Sequence, residues 1–414
     1  MIRFIAFVSI AIALVAAAAV RAENYNWPQW QGPYRNGLSD ETGLLPTWPE
    51  GGPQRRWLFE NCGMGYGGPA IVDGRMYILG TRDGECQLIA LDVERGQELW
   101  AVPVGTEFAN DWGDGPRSTP TVDEGRIYAL SADGTLVCVE ADDGREVWRV
   151  TMETLGGKVP NWGYTESVLI DGDKLLCTPG GPQGAIAALD KRNGSVIWQA
   201  KDLTEFAHYS SIVRGEFHGK PQYVQLLEKR LVGLSPDDGR LLWEVGWPGN
   251  VAVIPTPIVK GNQIFATSGY GAGCMLVEIS PQNEATKLYE NKQMKNQHGG
   301  VINVADHLYG FSDDVGWVCM DFKTGERRWR ERDALGKGAV GYADGKLYCI
   351  DEEEGNVVLI DASPNGWAEQ GRFTLTPQSQ QRKPRGRIWV HPVIVDGKLF
   401  LRDQEYVYCY NVKQ

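Results

Sequence analysis

A tryptophan frame repeated about every 45 residues, a strand–turn–strand unit ahead of each frame, and an incomplete period at each end of the array predict an all-β chain. Together they give an eight-bladed β-propeller of four-stranded antiparallel blades, with the ring closed by an N-terminal strand. The frame is clearest at Ala90, Asp92, Gly96 and Trp100, which stand at offsets 0, 2, 6 and 10. It recurs at Cys138, Glu140, Gly144, Trp148, at Ala188, Asp190, Gly194, Trp198, at Gly233, Ser235, Gly239, Trp243, and at Cys319, Asp321, Gly325, Trp329. Tyr289 and Trp367 read as degenerate copies, and the count falls to seven blades if the copy ending near Tyr289 is not one.

In chain order, residues 1–22 stand outside the fold. Arg3 is followed by an apolar run from Phe4 to Val20 and then by Val20-Arg21-Ala22, an acceptable cleavage site, so this stretch reads as a secretory signal peptide. A run of 17 residues is short for a spanning helix and no second one follows. The mature chain is expected to be exported, to the periplasm or the extracellular space, without spanning a membrane. The first cysteine, Cys62, is far from the cleavage site and offers no lipid attachment point there. Residues 23–54 form an extension rich in Trp and Pro, too short for a core of its own and expected to clamp across the propeller surface.

The propeller occupies residues 55–414. First strands start near 69, 119, 167, 210, 256, 301, 339 and 392, each usually followed by a tight turn such as Asp73-Gly74 and a second strand. The third strand carries the small residue of the frame and the fourth its tryptophan. The strand around Trp57 precedes the first complete blade, while the last period ends at Asn411 with no tryptophan strand. Each anomaly resolves the other: the first strand completes the last blade, which removes the open edge of a linear array. Trp57, Trp100, Trp148, Trp198, Trp243 and Trp329 are then docking residues, with rings lying on the neighbouring blade and indole N–H groups finding an acceptor.

Eight cysteines in an exported chain ordinarily point to disulfides. Here Cys138, Cys319 and Cys409 occupy the small first position of the frame, and Cys177 and Cys349 a matching place one strand earlier, where other copies carry Ala or Gly. Cysteine in such slots is a small hydrophobe. Only Cys62, Cys86 and Cys274 stay open as pairing candidates.

The spaced frame Ala-x-Asp-x-x-x-Gly-x-x-x-Trp resembles the docking motif of the PQQ-type (pyrroloquinoline quinone) propeller repeats over residues 55–414. That family includes quinoprotein alcohol dehydrogenases and the cofactor-free propeller of outer-membrane assembly. The resemblance implies the fold. For the dehydrogenases it also implies a central quinone over calcium, an aspartate base and two adjacent half-cystines. This chain has no adjacent cysteine pair, and no Cys-x-x-Cys-His for a haem.

Other chemistry is poorly represented. With 41 basic and 53 acidic residues the net charge is -12, which argues against a nucleic-acid partner. The basic run Arg382 to Arg387 reads as a solvated loop. Among only five histidines there is neither His-Glu-x-x-His nor, elsewhere, Gly-x-Ser-x-Gly. What breaks the repeat is the set of segments just before each first strand, which converge on the mouth of the central channel. They contribute Tyr66, Trp112, Asp114, Arg117, Trp162, Tyr164, His208, Tyr209, His298, Trp389 and His391. Two readings stand for this set: hydrogen-bonded residues that plug the channel, or an aromatic funnel holding a protein segment or small ligand, with Arg117 facing an acidic group. A metal on His208, His298 and His391 is a weaker third. The leading functional expectation is a monomeric, non-catalytic binding or scaffold module with no cofactor. The alternative is a quinone-dependent oxidoreductase with calcium.

Overall fold

The computed structural model describes residues 25–414, and the expected signal peptide at residues 1–22 lies outside them. Eight four-stranded antiparallel sheets follow one another around a ring. Their inner strands begin at Ala70, Thr121, Leu169, Val213, Ile258, Val301, Gly338 and Val393, and define blades 1 to 8. Type I′ turns join the first two strands of several blades, with positive φ at both central residues, as at Asp73 (50°) and Gly74 (76°). Among the described residues the one helical element is a short 3-10 turn, Met152–Leu155.

Blade 8 is completed by Arg55–Phe59, which pairs antiparallel with Tyr406–Asn411 and sets Trp57 opposite Cys409. Trp100 faces Ala90, Trp148 faces Cys138, Trp198 faces Ala188, Trp243 faces Gly233 and Trp329 faces Cys319 in the same register. The frame works across the blade boundary. The glycine of one blade lies under the indole of the preceding one: a Cβ on Gly96 would stand 2.5 Å from the Trp57 ring, and Gly144, Gly194 and Gly239 meet Trp100, Trp148 and Trp198 in the same way. Gly96 also has φ 64°, so both backbone conformation and clearance demand glycine. In four of the six the indole N–H then donates to a carbonyl of that neighbouring turn: Trp57 to Val93 at 2.8 Å, Trp148 to Lys191 at 2.9 Å, Trp198 to Pro236 at 3.2 Å and Trp329 to Ser363 at 2.8 Å, whereas Trp243 donates to Gln222 of its own blade at 2.6 Å and the Trp100 N–H meets no acceptor among the described residues. Tyr289 stands in this place in blade 5, opposite Leu276, with its hydroxyl donating to the Phe322 carbonyl at 2.9 Å.

Blade 7 departs from the sequence reading. Trp367 precedes its outer strand, Glu369–Thr374, and packs back on Trp317 and Trp329 of blade 6 at 5.9 and 6.2 Å. Gly371 stands at the docking register, opposite Leu359. Over it lies Trp48 from the N-terminal extension, 5.8 Å from Tyr348 and 5.4 Å from Phe373, with its backbone N–H donating to the Gln370 carbonyl at 2.8 Å. In blades 1, 2 and 6 the docking indole likewise meets a second-strand tyrosine: Tyr77, Tyr128 and Tyr309. A tryptophan from outside the repeat therefore supplies the missing ring.

The extension crosses one face of the propeller and also enters the channel. Trp27 exchanges backbone hydrogen bonds with Ile71 of blade 1, and the Pro28 carbonyl accepts from Val122 of blade 2. Arg35, fully enclosed, donates to the Ser167 and Val168 carbonyls of blade 3, beside the buried Glu166. Leu38–Ser39 then pairs parallel with Tyr342–Ala343 on the inner strand of blade 7. Only the central channel touches all these inner strands, so residues 27–39 plug it.

All eight cysteines are free and buried, including Cys62, Cys86 and Cys274. Burial holds every thiol above its usual range, to about 11 at Cys138 and Cys319. In the native protein none of the eight is expected to react with Ellman's reagent, and all should titrate in denaturant. Trp48→Ala is expected to cost about 3 kcal/mol in urea unfolding, as much as Trp329→Ala. A loss for Trp48→Ala under about 0.5 kcal/mol would refute its docking role.

Candidate functional site

The segments that lead into the inner strands meet at one mouth, opposite the face that the extension enters. They enclose a cavity of about 770 Å³ on the channel axis, within the range of small-ligand sites. Its floor is the tip of the plug, Trp30 and Gln31. Trp30 is held by an N–H bond to the Thr256 hydroxyl at 3.0 Å, next to blade 5, and by edge contact with His391 at 4.7 Å, next to blade 8. A belt of hydroxyls ties the wall beneath: Ser167 accepts from the Thr119 N–H at 2.8 Å and Ser211 from the Ser167 N–H at 3.0 Å.

Eight of the eleven residues expected at the mouth line this cavity: Tyr66, Trp112, Arg117, Trp162, Tyr209, His298, Trp389 and His391. The other three lie behind it. Tyr164 is buried against Leu136, Met152 and Leu175, with its hydroxyl on the Pro179 carbonyl at 2.9 Å. Asp114 accepts from the Asn110 N–H and pairs with Lys383 at 3.0 Å. His208 packs on Tyr209 and turns toward Glu228, 3.6 Å away, so it does not join His298 and His391. No group of three or more His, Cys, Asp or Glu side chains suited to a metal ion occurs among the described residues.

Arg117 is the most constrained of the lining residues. Its two terminal nitrogens donate to the Gly113 and Gly115 carbonyls, each at 2.7 Å, and its guanidinium lies 5.3 Å from the rings of both Tyr66 and Phe108. Burial lowers its pKa to about 10, so it is still a cation at neutral pH. His298 stacks on Trp389 at 4.4 Å, and its backbone carbonyl accepts from His391 at 2.8 Å. Burial first, then the nearby Lys337 and Arg117 charges, hold His298 neutral with a pKa of about 3, and burial brings His391 to about 4.

Sequence reasoning missed part of the wall. Lys337 immediately precedes the blade 7 inner strand and obeys the same rule as the residues named from the sequence. Tyr270 and Glu352 sit in turns between second and third strands, which rim the same mouth and carry no frame signal. Trp30 and Gln31 come from the extension, whose path no local pattern announces. The basic run is a loop, exposed from Lys383 to Arg385, but it is not free in solvent. It straps the mouth: Arg382 pairs with Asp403 at 3.3 Å, Lys383 with Asp114 at 3.0 Å and Arg387 with Glu353 at 3.2 Å, while Arg385 lies 5.4 Å from the Trp112 ring.

The lining does not fit the quinone and calcium of the resembling dehydrogenases. No cysteine and no aspartate lines the cavity, and its carboxylates are engaged, Glu352 by the Trp389 N–H at 3.1 Å and Glu353 by Arg387.

Burial raises Glu352 and Glu166 to about 7, opposed by Lys337 at the first and by Thr178 bonds at the second. A carboxyl raised in the folded state stabilises below its unfolded pKa, and that contribution is lost as pH rises through the folded value. His298 and His391, lowered on folding, act with the opposite sign and cost stability as pH falls below about 6.5. The melting temperature of Glu352→Gln relative to the parent should therefore rise between about pH 4.5 and pH 7 and be flat above about pH 8. A pH-independent difference would contradict the buried carboxyl.

A family model described as outer membrane protein assembly factor BamB matches residues 53–200 and 84–331. The assembly factor BamB of Marinobacter adhaerens is 26% identical over 149 residues, covering 36% of this chain and 33% of that protein. BamB of Shigella dysenteriae is 22% identical over 338 residues, covering 76% of this chain and 78% of the relative. Among solved structures, BamB from Moraxella catarrhalis superposes with a TM-score of 0.62 at 16% identity, over 84% of this chain and 94% of that one. The quinohemoprotein alcohol dehydrogenase of Comamonas testosteroni reaches 0.60 at 12% identity, over 94% and 81%. These two structures share the fold with both readings of the resemblance and do not choose between them. The family match spans most of the chain, and the protein belongs to the propeller-repeat family described as outer membrane protein assembly factor BamB.

Proposed function

We propose that this protein is an exported, non-catalytic scaffold of outer-membrane protein assembly that acts in the periplasm as a monomer and holds a partner protein at its funnel. The observation that carries this reading is the funnel itself. Its charged groups are anchored in binding positions, Arg117 by carbonyls, Glu352 by an indole and Lys337 by Asp313. The family and the relatives' shared name supply the process. Residues 1–22 serve as the export signal in this reading, and residues 23–54 stay with the mature protein as plug and docking strap. No helix among the described residues is long and apolar enough to cross a membrane.

Deleting the gene in its own host should lower the folded outer-membrane β-barrel proteins. The parent chain should restore them, and a Trp112→Ala, Trp162→Ala variant of unchanged melting temperature should not. Unchanged barrel levels in the deletion strain would overturn the assembly role. Pyrroloquinoline quinone with calcium should bring neither a bound-quinone absorption band nor dye reduction with alcohols or sugars. Either signal would restore the dehydrogenase reading.

A further inference from the structure

The lining of the funnel runs against the charge of the chain. Arg117, Lys337, Arg385 and Arg387 face it against Glu352 and Glu353, in a protein with 53 acidic and 41 basic residues. Lys337 and Arg387 have carboxylate partners, at 2.9 and 3.2 Å. Among the described residues Arg117 is held by neutral groups, two carbonyls and two aromatic rings, while the nearby Asp114 is taken by Lys383. A guanidinium has five N–H donors, of which the carbonyls use two. A half-buried cation oriented by neutral partners, with donors to spare, is a receiver for a carboxylate.

Two further features say what bears that carboxylate. Trp30 and Gln31 close the bottom, so no strand runs through the channel and whatever enters must end there. The cavity wall is also apolar where it opens to solvent: Trp112, Val251 and Tyr270, which line it, are 42%, 48% and 37% exposed. A compact molecule leaves that rim uncovered, whereas a chain end covers both. We infer that the funnel receives the carboxyl terminus of a partner polypeptide, with the terminal carboxylate on Arg117 and the last apolar side chains against Trp30, Trp162 and Tyr209. This rests on the reading of the funnel as a protein-binding site and names the chemistry it selects.

Glu352 is the opposing charge within the same cavity. Lys337 and Tyr270 face it from blades 6–7 and 5, Arg387 and Trp389 from the strap, and Glu353 from its own turn. Its ionisation near neutral pH disfavours a second carboxylate, so binding weakens as pH rises through about 7.

The test uses the full mature chain and a dye-labelled Gly-Ser-Gly-Leu-Val-Leu peptide, made as the free acid and as the C-terminal amide, read by fluorescence anisotropy. The free acid should bind about tenfold more tightly than the amide. Arg117→Gln should erase that ratio by weakening the acid alone, and Lys337→Gln should reduce it. Glu352→Gln should flatten the pH dependence and strengthen binding of the acid at pH 8. Equal affinity for acid and amide, absence of binding by both, or a ratio unchanged in both Arg117→Gln and Lys337→Gln overturns the inference. If 2-naphthoate binds and the peptide acid does not, the site takes a small carboxylate and the chain-end assignment fails. Any of these failures beside an intact assembly phenotype removes the ligand and leaves the scaffold role standing. Loss of that phenotype's dependence on the gene removes the role itself.

Discussion

The stacking of one blade's tryptophan on the next blade's glycine is the contact on which the ring depends. Each indole removes a large apolar area from water, and those of Trp57, Trp148, Trp198 and Trp329 also satisfy their N–H on the neighbouring turn, so a single residue type both adheres and orients. The glycine cannot be exchanged, because a Cβ at Gly96, Gly194 or Gly239 would stand inside the indole. Since ring and platform sit on successive blades, no blade is complete alone, and the last must find the first. Trp57 on the Gly96 turn makes that closing contact. Blade 7 shows how strict the requirement is: with Gly371 at the docking register, the chain brings Trp48 in from outside the repeat.

Once closed, the ring leaves a channel that must be filled or functional. The N-terminal extension divides it. From one face the plug inserts Arg35 among the inner strands of blade 3, where its charge is met by carbonyls and by Glu166. From the other face the loops between blades build aromatic walls, and Trp30 ends the space between them. The result is a cavity with one mouth, narrowed by a strap in which Arg382, Lys383 and Arg387 are pinned to Asp403, Asp114 and Glu353. Position and chemistry are separated in this design. Repeating residues carry the scaffold, and non-repeating ones, Arg117 above all, carry the charge and shape offered to a partner.

Much of this was legible in the chain because the propeller is built from local periodicities. The two-residue turn, the alternation within strands and the spacing of Gly to Trp are all set within a few residues, and the blade starts read from them lie within three residues of the observed ones. The cysteines were legible for the same reason, since a slot that takes Ala or Gly elsewhere has room only for a small buried group. The mouth residues followed from topology: whatever joins an outer strand to the next inner strand must cross toward the axis. Tyr164, Asp114 and His208 obeyed that rule in backbone placement, yet their side chains turned into a blade interface, an ion pair with Lys383 and the outer side of Tyr209.

By itself, then, the sequence determined the fold, the number of blades, the closing strand and the ring of loops from which a site is made, because each is a repeated local pattern. Only the tertiary structure decided that residues 27–39 plug the channel, that Trp48 serves blade 7, that the Arg382–Arg387 run straps the mouth, and that Arg117 lies half-buried with no carboxylate partner among the described residues. Those contacts join residues far apart along the chain, where spacing carries no information, and they exist only because ring closure brings eight inner strands around one axis.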